Sequence, residues 1–498
     1  MTFSTTVVIL LTTALAVGIF LTRKKGTPLP PGPPGLPIIG NLLDLPSSYD
    51  WKTYGEWADK YGPVVSASAF GMTIVVVNSF KHAIELMDKK GTKYSSRPRP
   101  TMPVKLMGWE NAMAFTEYGQ RFRSYRKTFH NELGSTVSLK NYWPQEENHA
   151  KHFVKLVLES PERLFDHCFQ HAGAIILRVA YGYKAKDRDD EFIRAGNNAM
   201  ESFNEGCSPS RFMVNQLPIL QYIPEWVPGA GFQKTARLWR PLYGLMVKIP
   251  FDFVKQQMAA GTAEESFTRN LLKTGLSPEE EDILMHAAGS MFGGGGETTA
   301  ITVHMFFLMM CLHPEIQKRA HEEMDRVVGR GRLPTFEDRE NLPYLESLVK
   351  EVMRFHPSVP DGLPHATTED DYHEGYFIPK GSLVISNIWK MTRDAEVYHD
   401  PEVFNPDRFL GPKPEPDPRE IVFGFGRRIC PGRFLAEISL YITLAMCVAA
   451  FNVTPVTEGG KPVFPEYQPE GGPVSRLRPF ECVISPRDPE IIAAVSQE

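Results

Sequence analysis

The distribution of apolar and charged positions divides the chain into one membrane-like stretch and a long, mostly helical body. Residues 2–22 carry no Asp, Glu, Lys or Arg and are rich in Val, Ile, Leu and Ala, enough to cross a bilayer as one helix. Arg23, Lys24 and Lys25 follow at once, and the positive-inside rule places them and the rest of the chain in the cytosol. A cleaved signal peptide is the competing reading, because Ala14-Leu15-Ala16 resembles a cleavage site. No basic segment precedes the run, however, and it stays apolar through Phe20 and Leu21. An uncleaved, single-pass anchor over residues 1–26 is therefore expected. Closely spaced prolines fill residues 27–37, a composition that stiffens a chain and makes a hinge of restricted angle.

From residue 38 the pattern changes to alternating amphipathic segments. Residues 51–61, 80–90, 143–158 and 237–259 show helical spacing. Residues 64–69 and 73–77 are β-branched runs around Phe70-Gly71, which predicts a hairpin, and a second β-rich patch covers residues 365–388. The longest predicted helix starts after Ser277. Ser is a good N-cap, Pro278 suits the first helical position, and Glu279, Glu280 and Glu281 complement the dipole. Its apolar pattern runs to Leu312, before His313-Pro314. At 1.5 Å per residue that is about 50 Å, enough to cross a globule. The Pro-rich segments 411–418 and 459–473 read as surface loops. The body is thus mainly α with a small β-rich lobe.

Composition narrows the function classes. A chain of 498 residues suggests about three domains by length alone, yet no Ser/Gly linker, acidic run or low-complexity tract divides the body, so residues 38–498 read as one domain. A net charge of −5 makes nucleic acid an unsuitable partner. The six cysteines, at 168, 207, 311, 430, 447 and 482, form no CxxC or CxxH pair, which excludes a disulfide framework and a cysteine-based zinc site.

Two stretches carry chemistry. In Gly293-Gly294-Gly295-Gly296-Glu297-Thr298-Thr299, four glycines interrupt the middle of the long helix, each costing about 1 kcal/mol against alanine. Close approach of the backbone to a flat ligand, with a local opening of the hydrogen-bond ladder, gives them a purpose. No Lys-Ser/Thr follows, so this is not a phosphate loop. In Phe423-Gly424-Phe425-Gly426-Arg427-Arg428-Ile429-Cys430-Pro431-Gly432, one cysteine sits on a glycine-flanked loop with arginines nearby. Cations favour the thiolate, a strong metal ligand.

This Phe-x-x-Gly-x-Arg-x-Cys-x-Gly pattern resembles, at every fixed position, the haem-binding signature of the cytochrome P450 family. The resemblance extends over the whole chain, in family order. It implies the P450 fold, haem b with Cys430 as axial thiolate, and insertion of one oxygen atom from O₂ into a substrate. Arg428 would then pair with a haem propionate and Phe423 would pack near the sulfur. Gly294-Gly295-x-Glu297-Thr298-Thr299 resembles the long-helix motif, with Thr298 orienting water and Glu297 relaying protons; the structural alternative is a Thr298 hydroxyl bonded back to a carbonyl at a kink. Tyr118 to Lys127 resembles the Trp-x-x-x-Arg helix with Phe122 in place of Trp, leaving Arg126 as a propionate donor. His365 falls where another such donor is common. Glu351, Arg354 and Arg408 would form the family's buried structural network. The same Glu-x-x-Arg spacing at Glu191–Arg194 and Glu323–Arg326 reads as solvated salt bridges.

Arg123, Lys127, Arg427 and Arg433 would gather on the cysteine side, a patch suited to an acidic flavoprotein. The chain has no flavin or nicotinamide fingerprint, so electrons would come from NADPH–cytochrome P450 reductase, with cytochrome b5 as a second donor. The implied location is the endoplasmic reticulum membrane, with a cytosolic catalytic domain. Overall texture resembles fungal enzymes of secondary metabolism, which points to a small apolar substrate, a terpenoid first, with polyketides and indoles as alternatives. A haem isomerase or dehydratase needing no external electrons, and a haem-based sensor, are the readings from other classes. Asp361 stands where the pocket-lining loop is usually apolar, and a carboxylate there would bond a substrate hydroxyl or amine.

Overall fold

The structure, a computed structural model, describes residues 27–208 and 211–496. The apolar run read as an anchor lies outside the described residues. The predicted helices form with small changes of boundary. They are α1 (Asp50–Tyr61), α2 (Gln120–Leu133), α3 (Trp143–Glu159), α4 (Leu164–Tyr181), α5 (Glu191–Cys207), α6 (Gly231–Ala259), α7 (Pro278–Leu312), α8 (Pro314–Val327), α9 (Pro343–Phe355) and α10 (Arg433–Ala450), with shorter turns between them. The segment predicted as one helix from residue 80 is a short α-helix, Phe80–Ala83, running into a π-helical stretch, Ile84–Lys89.

The 35-residue α7 is the axis of the molecule. Ser277 and Glu280 cap each other reciprocally at its start, the Ser277 hydroxyl accepting from Glu280 N and the Glu280 carboxylate from Ser277 N. From Ala300 to Cys311 every residue is buried. Helix α10 is buried from Ile438 to Ala450. These two helices are apolar and long enough to cross a membrane, yet both lie mostly inside the core. An all-round apolar helix is what the centre of a large fold requires.

The β lobe is built on four strands. β1 (Val64–Ala69) and β2 (Met72–Val77) form the predicted hairpin, with Phe70 and Gly71 both at positive φ in its turn. β3 (His365–Ala366), β4 (Asp371–His373), β5 (Tyr376–Ile378) and β6 (Leu383–Ser386) come from the second β-rich patch. The sheet order is β1-β2-β6-β3, with β2 and β6 parallel, while β4 and β5 pair separately. The proline-rich segment docks on this lobe: Ser66 N donates to Pro31 O at 2.9 Å and Phe377 N to Pro28 O at 2.8 Å. Prolines lack a donor but keep their carbonyls, so the segment meets strand edges as an acceptor.

Residues 459–473 lie at the surface as expected, every one exposed or half-buried. They turn the hairpin Val456–Glu458/Lys461–Val463 through Gly459 and Gly460, and the chain then dives inward, burying Ser475 and Leu477. Pro462 sits within the exposed strand Lys461–Val463, an edge position that tolerates the missing donor.

One buried acid has a consequence for stability. Glu146 on α3 is fully buried, neither oxygen makes a hydrogen bond of ordinary geometry, and burial, offset in part by the nearby Ser439 hydroxyl, pushes its carboxyl up to about 8. The unfolded chain ionises near the ordinary value while the native chain holds the proton. Native stability contributed by this group therefore falls as pH rises between those limits, by on the order of 3 kcal/mol at pH 7. Glu146→Gln should flatten that slope. Thermal unfolding compared at pH 5 and pH 8 measures it, and equal slopes for both proteins would refute the assignment.

Candidate active site

The cysteine loop lies between two cores. Phe423 packs on the main core around α7 and α10, while Phe425 packs in the β-lobe core with Leu86, Met87 and Ile421. Gly424 and Gly426 turn the chain between them at φ 75° and 55°. A Cβ on Gly426 would stand 2.2 Å from Met87 O, so only glycine fits. Cys430 N donates to Phe423 O at 2.8 Å and closes the loop just before α10. Burial pushes the Cys430 thiol up, and the Gly432 N–H with Arg126 and Arg433 pulls it partly back. The neighbouring cations alone do not secure the thiolate.

Four cationic or donor side chains surround this loop. Arg126 donates to Ile429 O at 2.6 Å, tying α2 to the residue before the cysteine. Arg428 donates to Ser95 O at 2.6 Å and Thr116 O at 2.7 Å. Its guanidinium lies 3.6 Å from the ring centre of Phe122, so the phenylalanine standing in for Trp serves as a stacking surface. Arg97, which sequence reading missed, donates to Leu363 O and Pro364 O, and its Nε has no partner. His365 is buried at the start of β3, its Nδ1 2.6 Å from Tyr94 O. Burial presses Arg97, Arg428 and Arg126 below the ordinary guanidinium value, and Arg97 and Arg126 add repulsion at Arg428. Among the described residues none of the three arginines is paired with a carboxylate. An unpaired buried guanidinium is costly. A flat group carrying two carboxylates fits this cluster.

Helix α7 supplies the opposite wall. A Cβ on Gly295 would reach 2.5 Å from Ile176 of α4, and one on Gly293 would reach 3.2 Å from Met200 of α5. These glycines let neighbouring helices close in. Gly294 and Gly296 differ, for a Cβ on either meets no atom within 4 Å, and the exposed Gly294 leaves a cradle beside Thr298 one turn on. The predicted opening of the ladder does not occur, since α7 stays helical across all four glycines. Thr298 Oγ1 donates to Gly294 O at 2.8 Å, so its lone pairs remain free to accept. Glu297 is buried, accepts from Arg476 Nε at 2.5 Å and from Asn204 at 3.2 and 3.3 Å. The loop that carries Arg476 is the inward one after residue 473.

Behind the loop, Glu351 accepts from Arg354 in a two-pronged pair at 2.7 and 2.8 Å, from Arg408 at 3.2 Å and from Asn405 N at 2.7 Å. All three charged side chains are buried. The solvated reading of Glu323 is overturned: it is buried and accepts from Tyr344 N and Leu345 N, capping the start of α9. Asp361 has an unpartnered, buried Oδ1, and burial with the nearby charge of Asp50 holds its carboxyl well above the usual range. Of the basic patch, Arg123 and Arg427 converge on the Tyr118 ring at 6.0 and 5.2 Å. Lys127 is exposed on α2, and Arg433 lies over Phe434 beside Arg126.

A single cysteine on a tight loop, a group of cations without carboxylate partners and a helix face left bare at Gly294 fit a haem-thiolate oxidoreductase. The chain belongs to the cytochrome P450 family, whose sequence model, described as Cytochrome P450, matches residues 30–474. It is 43% identical to cytochrome P450 monooxygenase 208 of Postia placenta, over 92% of this chain and 90% of that one. It is 40% identical to cytochrome P450 monooxygenase claR of Ampulloclitocybe clavipes, over 95% of this chain and 89% of that one. Identity to cytochrome P450 monooxygenase ppsD of Aspergillus oryzae is also 40%, over 94% and 90%. The protein is a P450 monooxygenase similar to fungal ones, and its family's cofactor is haem b bound through a cysteine thiolate. Enzymes of this family generally take electrons from a redox partner and are typically membrane-anchored.

Proposed function

We propose that this enzyme hydroxylates, or oxidises in several steps, a terpenoid of fungal secondary metabolism, with Cys430 as the axial ligand. Arg97, Arg126, Arg428 and His365 would hold the propionates, and Phe423 would anchor the loop through its carbonyl. Haem, when bound, supplies oxygen activation. The chain's own residues bind, orient and move protons. With its hydrogen on Gly294 O, the Thr298 hydroxyl accepts a hydrogen bond from water and fixes its position. Glu297 exchanges a proton with that water when Arg476 and Asn204 release one of its oxygens. This pairing on α7 of a back-bonded alcohol with an ion-paired acid is the observation that carries the reading.

Apolar walls support the substrate class. Trp109 and Phe115 meet Phe203 of α5 as tilted rings at 4.9 and 5.6 Å between ring centres, and Met113 N donates to Ser290 Oγ on α7, which seats this aromatic layer near the glycines. Residues 1–26 serve as a single-pass anchor in the endoplasmic reticulum, residues 27–37 as the hinge and 38–498 as the cytosolic catalytic domain. The cluster at Arg123, Lys127, Arg427 and Arg433 docks NADPH–cytochrome P450 reductase, with cytochrome b5 as a second donor.

Membranes containing the full chain and the reductase test this. Terpenoids should shift the Soret band more than polyketides or indoles, and product should require both NADPH and O₂. A rearranged product formed without either would establish an isomerase instead. A shift confined to indoles or polyketides would overturn the substrate class.

A further inference from the structure

Away from the catalytic cleft, the β lobe brings two imidazoles and a carboxylate to one point. His82 lies on the short helix Phe80–Ala83, His373 ends β4, and Glu374 begins the turn into β5. His82 Nδ1 stands 2.9 Å from His373 Nε2, and Glu374 Oε1 lies 4.0 Å from His82 Nδ1. One ligand atom from each residue falls within 4.8 Å of the other two. Both histidines are buried, while Glu374 is exposed. Glu374 and Gly375 both have positive φ, the two-residue turn that brings the carboxylate back over the histidines.

We infer that His82, His373 and Glu374 form a binding site for a divalent transition-metal ion of the zinc class. Two imidazole nitrogens and a carboxylate oxygen are a known ligand set for zinc, with a fourth position left to water. Bonds of about 2.0–2.1 Å at tetrahedral angles need the ligand atoms about 3.3 Å apart, so the hydrogen bond between the two imidazoles at 2.9 Å must give way and the exposed Glu374 carboxylate, 4.0 Å from His82, must swing inward. Lys90 adds positive potential at His373, and Glu374 and Glu85 add negative potential there; Lys90 is itself paired with Asp371 at 2.7 Å. Bound zinc would clip the β4–β5 hairpin to the segment that runs on through Met87, whose carbonyl walls Gly426 of the cysteine loop. The site is thus a clamp on the support of the haem-binding loop.

The test uses the haem-loaded full chain, stripped with a chelator and dialysed against zinc chloride. Elemental analysis should find one zinc per chain, and X-ray absorption at the zinc edge should show two nitrogen neighbours at about 2.0 Å. Competition with a chromophoric chelator should show affinity lowered at least about tenfold in His373→Gln and in Glu374→Gln. His152→Gln, which alters an exposed His–Asp pair elsewhere, should change nothing. Zinc should raise the melting temperature of the parent protein and not of the His373→Gln protein. Because Glu374 is on an exposed turn, its variant folds independently of the buried pair and decides the matter if His373→Gln is unstable. Failure of the parent to retain zinc, or unchanged affinity in Glu374→Gln, overturns the site.

Discussion

Glu351→Ala should produce a chain that does not retain haem. The carboxylate answers two buried guanidiniums, those of Arg354 and Arg408, and the backbone N–H of Asn405. Removing it leaves the buried Arg354 guanidinium with no acid partner among the described residues and Arg408 with Glu415 alone, at 2.7 Å, a loss on the order of 3–5 kcal/mol. That is a large part of the stability of a typical domain. Glu351→Gln keeps the shape but not the charge, and should fall between the two. Arg408→Ala should cost less, because Glu351 keeps its pair with Arg354. The ratio of haem to protein after purification, with urea unfolding, ranks the three. Parent-like haem content in Glu351→Ala would mean that the network is dispensable.

The second large effect concerns protons. Thr298→Ala and Glu297→Gln should each lower product formation by roughly 10²–10⁴-fold, the range for a positioned acid–base group. NADPH consumption should fall much less, the missing product appearing as peroxide. The two substitutions fail differently. Thr298→Ala removes the acceptor that fixes water, while Glu297→Gln keeps a polar side chain and loses the exchangeable proton. Arg476→Ala should leave Glu297 bonded only to Asn204 and shift the pH profile of product formation without abolishing it. Measured together, product, NADPH and peroxide separate these outcomes. Coupled turnover in Glu297→Gln would remove it from the relay.

Local sequence made much of this legible. Ser277, Pro278 and three glutamates marked the start of α7 because capping is a short-range property, and the body's helices followed their apolar spacing. Cys430 stood out because its glycines and arginines are adjacent in sequence. What stayed hidden was set by contacts over long separations. Arg476 meets Glu297 across 179 positions, and nothing around it distinguishes it from a surface arginine. Arg97 sits in an unremarkable Arg-Pro-Arg-Pro stretch. Glu323 shares the spacing of a solvated pair, yet it caps the helix that follows. The glycine run misled in a different way: its cost implied a broken helix, whereas the helix stays intact and Ile176 packs where a side chain on Gly295 would stand.

The three guanidiniums around Cys430 also bear on how the enzyme matures. Before its prosthetic group arrives, the pocket gathers like charges with no carboxylate partner among the described residues, so the final state of the polypeptide is incomplete without a visitor. Assembly and cofactor capture become one event, and cells short of porphyrin would accumulate loosely closed, protease-sensitive chains rather than an empty but finished enzyme.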